Sequence, residues 1–176
     1  MRKELIRAVR ATFRQAIESG GRFEYTKERG AAGSDIYIWR FSADLNFFLY
    51  LLPSLKSYHD RFIIELGWST GHAFPAKAAL QNKQRLDLKS DGRIRLPSLW
   101  REKWKSAVEP WWKLGDSLVE SGDAFDSEDE TRRRLAQVPE VVSEVVDKLG
   151  EYGMPFFQRI AEERRATPSP TSPHIR

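Results

Sequence analysis

Residues 35–52, DIYIWRFSADLNFFLYLL, read as two strands joined by a tight turn. Ile36 and Ile38 alternate with Tyr37, Trp39 and Phe41, a period of two that belongs to extended chain rather than to helix. Ser42, Ala43 and Asp44 make the turn. Leu45 to Leu52 then resumes the alternation, with Phe47, Leu49 and Leu51 on one side and Phe48, Tyr50 and Leu52 on the other. Apolar residues occupy both sides of both segments, which predicts a sheet with two covered faces. So short a connection favours an antiparallel pair over a parallel crossover.

The same reading extends in both directions. Pro53 ends the second strand because it has no N–H for a ladder, and SLKSYHD supplies the next connection. Arg61 to Trp68 is a third strand, with Phe62, Ile64, Leu66 and Trp68 facing one way and Ile63, Glu65 and Gly67 the other. On the N-terminal side, Phe23 to Thr26 predicts a short strand before a Gly-containing turn. Residues 2–19 place Leu5, Ile6, Val9, Phe13, Ala16 and Ile17 on one helical face, and Gly20-Gly21 offers a C-cap.

Beyond residue 74 the pattern is weaker. Pro75 can open a short helix through AKAALQNKQ, and LDL at 86–88 pairs naturally with RIRL across the Asp91-Gly92 turn as a hairpin. Pro110 breaks the aromatic stretch SLWREKWKSAVEPWWKLGDSL into pieces. The acidic residues 116–130 read as a surface connection, and Pro139 as lying near the start of a helix striped by Val138, Val141, Val142, Val145, Val146 and Leu149. Gly150 and Gly153 punctuate that helix, and Pro155 begins another turn carrying Phe156, Phe157 and Ile160. The expected architecture is one compact α+β domain over residues 1–165. It has an antiparallel sheet of about four to five strands packed against N-terminal and C-terminal helices, with 166–176 as a flexible tail.

At 176 residues, 40% hydrophobic and 31% charged, the composition is that of a soluble globular chain. No apolar run reaches the roughly 20 residues that span a bilayer. The N-terminal segment interrupts its apolar positions with charge, unlike a secretory signal. The absence of Cys removes disulfides, Cys-based zinc sites, iron–sulfur clusters and thiol nucleophiles, and it fits a cytoplasmic setting. The net charge of +4 is unevenly distributed. Residues 77–105 hold nine Lys or Arg against three acids, whereas 116–130 hold seven acids and no base, so the surface is expected to be dipolar.

One pentapeptide raises catalysis directly. Gly67-Trp68-Ser69-Thr70-Gly71 spells G-x-S-x-G after a strand, the setting of a hydrolase nucleophile. Its continuation does not fit: HAF intervenes where a helix should start, and the histidines that follow Ser69 are His72 and His174 in the tail, while His59 precedes it. The reading adopted is a structural serine at a strand exit, with a small serine hydrolase using Ser69 as a subordinate alternative. Asp44, His59, Asp60 and His72 match no metal-ligand spacing, and no phosphate-binding glycine loop is present. No cofactor and no metal are therefore assigned. Glu65 interrupts an apolar strand and reads as a residue on the partly solvated face, with a buried general base as the alternative; Arg40 is its simplest expected cross-strand partner.

The remaining functional signal is aromatic and basic. Trp68, together with Trp100, Arg101, Lys103, Trp104, Lys105, Trp111 and Trp112, forms a candidate interaction surface, since aromatic rings and cations serve well as interface anchors. The alternative reading makes Trp68 an interior aromatic at its strand end and the four Trp residues from 100 to 112 anchors of an irregular segment to the core. A protein partner and single-stranded nucleic acid are both consistent with that composition, and the adjoining acidic segment favours protein. Arg132, Arg133 and Arg134 are expected to pair within the chain with Asp126, Glu128, Asp129 or Glu130.

The segments FEYTKERG, DIYIWRF, DLNFFLYLL, FIIELGWS, EPWWKLGD and GEYGMPFFQRI, in that order after an N-terminal helix, resemble the uncharacterised bacterial family called domain of unknown function 4304. The resemblance spans roughly residues 1–162. It implies one compact α+β domain and a bacterial origin, and it supplies no catalytic residues. The expected function is an accessory or protein-interaction module without evident catalytic chemistry, of unknown oligomeric state.

Overall fold

The structure is a computed structural model that describes residues 2–30, 33–54, 61–71, 86–100, 112–114 and 128–166. Five strands lie in sequence order: β1 (Glu24–Arg29), β2 (Asp35–Ser42), β3 (Leu45–Pro53), β4 (Arg61–Ser69) and β5 (Gly92–Arg95). Every pairing is antiparallel. A two-residue strand, β6 (Trp112–Lys113), pairs with β4 through Phe62↔Trp112, while β5 takes the other end of the same edge through Trp68↔Gly92. The predicted meander is present, and three of its strands each run one residue farther than the alternation suggested.

Helix α1 (Arg2–Ser19) lays Leu5, Val9, Phe13 and Ile17 on the sheet. Its end is set by Gly21 at φ +69°, a left-handed conformation that glycine adopts without Cβ strain, with the Gly21 N–H donating to the Glu18 carbonyl at 3.0 Å. Arg10 reaches from α1 across the β1–β2 connection. Its Nη2 donates to the Gly33 carbonyl, and its Nε lies 3.3 Å from the buried carboxylate of Asp35, which Arg29 also contacts.

The second helical layer departs from expectation at its start. Helix α2 (Glu128–Lys148) begins inside the acidic segment, so Pro139 sits in its interior rather than near its first turn. Glu128, Asp129 and Glu130 occupy that first turn, where negative charge opposes the helix dipole favourably. Arg134 Nε donates to Glu130 at 2.8 Å one turn on. These local charges nucleate the helix before the apolar stripe begins. The stripe then buries Val138, Val142, Val145 and Leu149.

Gly150 and Gly153 do not end the helix either. A π-helical turn, Leu149–Gly153, runs without a break into α3 (Met154–Arg165). Pro155 explains it: in a regular α-helix its ring would press on the carbonyl of Glu151, and the wider π turn relieves that contact. Phe156, Phe157, Ile160 and Ala161 then enter the core, with the Phe157 ring stacked on Phe47 at 4.4 Å between centroids.

The proposed LDL–RIRL hairpin does not form. Asp87 accepts hydrogen bonds from the Lys89 N–H and the Ser90 hydroxyl, curling residues 87–90 into a side-chain-capped turn, and RIR pairs with β4 instead. The short helix expected after Pro75 and the tail 167–176 lie outside the described residues.

The two glycines of the π turn should respond with opposite sign to alanine. A Cβ at Gly150 meets nothing within 4 Å, whereas one at Gly153 would lie 2.6 Å from Leu149 Cδ1 and 3.4 Å from Leu96 Cδ1, both on buried side chains. Gly150→Ala should raise unfolding free energy by about 0.5–1 kcal/mol through helix propensity. Gly153→Ala should lower it by about 1–3 kcal/mol through overpacking. Urea denaturation of the two variants measures both.

Candidate functional site

Ser69 is the last residue of β4 and is 3% exposed. Its hydroxyl donates to Asp91 Oδ2 at 2.7 Å and accepts from the Gly71 N–H at 3.0 Å. Asp91 Oδ1 accepts from the Thr70 N–H at 2.9 Å and from Arg164 Nη2 at 3.3 Å, while Arg164 Nε donates to the Leu88 carbonyl at 3.0 Å. Asn46 Nδ2 closes the set on the Gly71 carbonyl at 2.9 Å. The G-x-S-x-G pentapeptide thus splices three elements: the end of β4, the 87–91 turn and the C-terminal part of α3.

This geometry anchors the serine between the Asp91 carboxylate and the Gly71 N–H. Partial burial pushes the Asp91 carboxyl up, but hydrogen bonds from Ser69, from the Thr70 N–H and from Arg164, with the guanidinium's charge, hold it below the usual carboxylate range. A carboxylate so stabilised is a poor proton acceptor. His59, His72 and His174, the histidines weighed as a base for the hydrolase alternative, lie outside the described residues.

Glu65 is buried, and its partner is not Arg40. Register decides this: Arg40 lies opposite Asn46, which lies opposite Ser69, four residues along β4 from Glu65. Arg40 pairs instead with Glu24 at 2.7 Å. Glu65 faces Tyr50 on β3 and Arg95 on β5, and its carboxylate stands 3.6 Å from Arg95 Nε and 3.7 Å from Arg93 Nη1. Two cations flank one buried carboxylate, so removing Glu65 would leave two guanidinium charges side by side without their counter-charge. Among the described residues no group of three or more His, Asp or Glu is placed to hold a metal ion; Asp44 is exposed at the β2–β3 turn, and Asp60 falls outside them.

The candidate aromatic surface divides. Trp68 is fully buried, which corrects its assignment as a surface anchor: alternation puts it on the helix-covered face, its Nε1 donates to the Ser90 carbonyl at 2.7 Å, and Phe156 meets its ring edge-on. Trp112 is also buried, stacked against Phe62 at 6.1 Å. Trp100 is half-buried. It follows the 3₁₀ turn Leu96–Leu99 and packs 5.1 Å from Tyr152 of the π turn and 6.2 Å from Trp112. Lys148 Nζ lies 5.9 Å from the Trp100 ring and 5.2 Å from the Tyr152 ring, and it also bonds Glu151 at 2.8 Å. Arg101, Lys103, Trp104, Lys105 and Trp111 lie outside the described residues.

Arg132, Arg133 and Arg134 pair within α2, with Asp129 and with Glu130. Two features were missed by reading sequence. A narrow, mostly apolar cleft with about 350 Å³ of empty space, its open mouth included, lies between α1 and the ends of β3 and β4. Trp39 and Phe41, assigned only as strand residues, are half-exposed beside Arg22 and Arg165. Comparison of the chain with protein-family models, with curated proteins and with solved structures gives no match.

Ser69→Ala removes a donor to a carboxylate and an acceptor for a backbone N–H at a buried position. It should lower stability by about 2 kcal/mol in urea denaturation at neutral pH. The pH dependence has a defined sign. Asp91 is depressed in the folded state, so its contribution is present above the ordinary carboxyl value and is lost as pH falls through the lower folded value. The loss of stability on acidification below about pH 4 should therefore be shallower in Ser69→Ala than in the parent.

Proposed function

We propose that this chain is a non-catalytic protein-interaction module, a cytoplasmic accessory protein related to the bacterial family that its motifs resemble, and that it meets its partner around Trp100. The chain is an α+β fold without cysteine, and among its described residues there is no metal-holding cluster and no helix long and apolar enough to cross a membrane. The observation that carries the proposal is the half-buried Trp100 ring held against Tyr152 by the π turn. A preorganised aromatic cluster presents contact area with little side-chain entropy left to lose. Among the described residues, Lys148 adds a cation at the margin and pairs with Glu151. The acidic residues 116–130 that follow the aromatic segment in sequence favour a protein over a phosphate backbone, which attracts uncompensated cations.

The test is a photoreactive phenylalanine analogue placed at position 100, with the same analogue at exposed Lys3 as control, irradiated in cells that carry the natural complement of partners. The proposal predicts a discrete protein adduct from position 100 that the control lacks. Adducts to nucleic acid, or the same background from both positions, would remove it. Trp100→Ala should retain the folded circular dichroism spectrum and lose the same partner in co-purification.

A further inference from the structure

Among the described residues, the helices leave the end of β2 incompletely covered. Helix α1 stops at Ser19 and α3 at Arg165, while β2 continues to Ser42. Trp39 and Phe41 point to the helix-covered face by alternation, with Phe23 and Phe47 packed beneath them, yet both remain half-exposed. Arg22, just past the Gly21 turn, lies over the Trp39 ring at 5.7 Å. Arg165, at the last turn of α3, lies over the Phe41 ring at 5.4 Å. The two rings meet edge to face at 5.2 Å, so the four side chains form a continuous row. Both arginines are exposed, and neither pairs with a carboxylate among the described residues.

We propose that this Arg22–Trp39–Phe41–Arg165 row is a docking surface for a short acidic segment of a partner protein that also carries apolar side chains. Charge complementarity and ring geometry select that occupant. A guanidinium lying on a ring keeps its in-plane N–H fork free, and that fork matches a carboxylate. The rings lie at 85° to one another and their outer contacts are taken by the guanidiniums, which leaves no parallel faces on which successive bases can stack. Steps of 5.7, 5.2 and 5.4 Å separate the groups, a path that an extended peptide of about five residues covers. The partner segment therefore places acidic residues on either side of an apolar centre. This surface lies at the opposite end of α3 from Trp100, and the inference does not rest on the Trp100 reading.

Selection of short random peptides displayed on phage against the whole chain tests it. The expected result is enrichment of peptides with Asp or Glu flanking aromatic or aliphatic residues. Their affinity should fall about tenfold or more in Arg22→Gln/Arg165→Gln, fall less in Arg22→Lys/Arg165→Lys, and stay unchanged in Arg132→Gln. Unfolding midpoints of the variants establish that each is folded, and the lysine pair serves if the glutamine pair is not. Neutral or basic consensus peptides, no consensus, or retained affinity in the glutamine pair would overturn the proposal. So would a single-stranded oligonucleotide that binds the row more tightly than any selected peptide, or self-association through the row in place of peptide binding.

Discussion

The register of β3 against β4 is the constraint on which the other features depend. Leu45 to Leu51 and Phe62 to Ser69 are buried along their whole lengths, on both faces of the sheet. A slip of one residue would exchange the two faces, moving Trp68 and Leu66 away from the helices and driving Glu65 and Ser69 into the apolar layer under α3. The polar positions on β4 are therefore set by the same register that sets the core. Glu65 falls opposite Arg95, and Ser69 falls where Asp91 accepts a hydrogen bond from its hydroxyl. Polar groups buried at these places need partners, and the sheet supplies them from β5 and the turn before it.

The helices complete one face and stop short of one end. Phe13 meets Tyr37 edge-on and Phe157 stacks on Phe47, so α1 and α3 each contribute an aromatic ring to the sheet's helix side. Ile36, Ile38, Phe48 and Tyr50 form a smaller buried cluster on the other side. At the strand end near Trp39 and Phe41 the cover is made by arginines rather than by helix, which converts the edge of the core into a charged aromatic surface. At the other end of α3 the π turn does something similar with Tyr152, Lys148 and Trp100. Both surfaces arise where a regular element runs out or is distorted.

Much of this was legible in the sequence where periodicity was strong. The alternation in 35–52 and 61–68 and the helical spacing in 2–19 each located an element within a residue or two, because burial on defined faces leaves few alternatives. Readings failed where a local interaction outweighed the apolar pattern. Helix α2 begins with acidic residues that carry no apolar period, so Pro139 looked like a start. Asp87 curls its own neighbours, so LDL looked like a strand. The site was less legible than the fold. Aromatic count pointed to Trp68 and Trp112, but counting does not distinguish a ring turned inward from one turned outward. For Trp68 the alternation of its own strand held that information; for Trp39 and Phe41 the missing fact was where the helices end. The partner of Glu65 required strand register, which one strand's sequence does not contain.

Native-state hydrogen exchange measures the central constraint most directly. If the β3–β4 pair is the spine, the amides of its central residues exchange only through global unfolding, with free energies equal to that from urea denaturation, while the bulged edge strand β1 exchanges through smaller local openings. Exchange from central β4 as fast as from β1 would contradict the account.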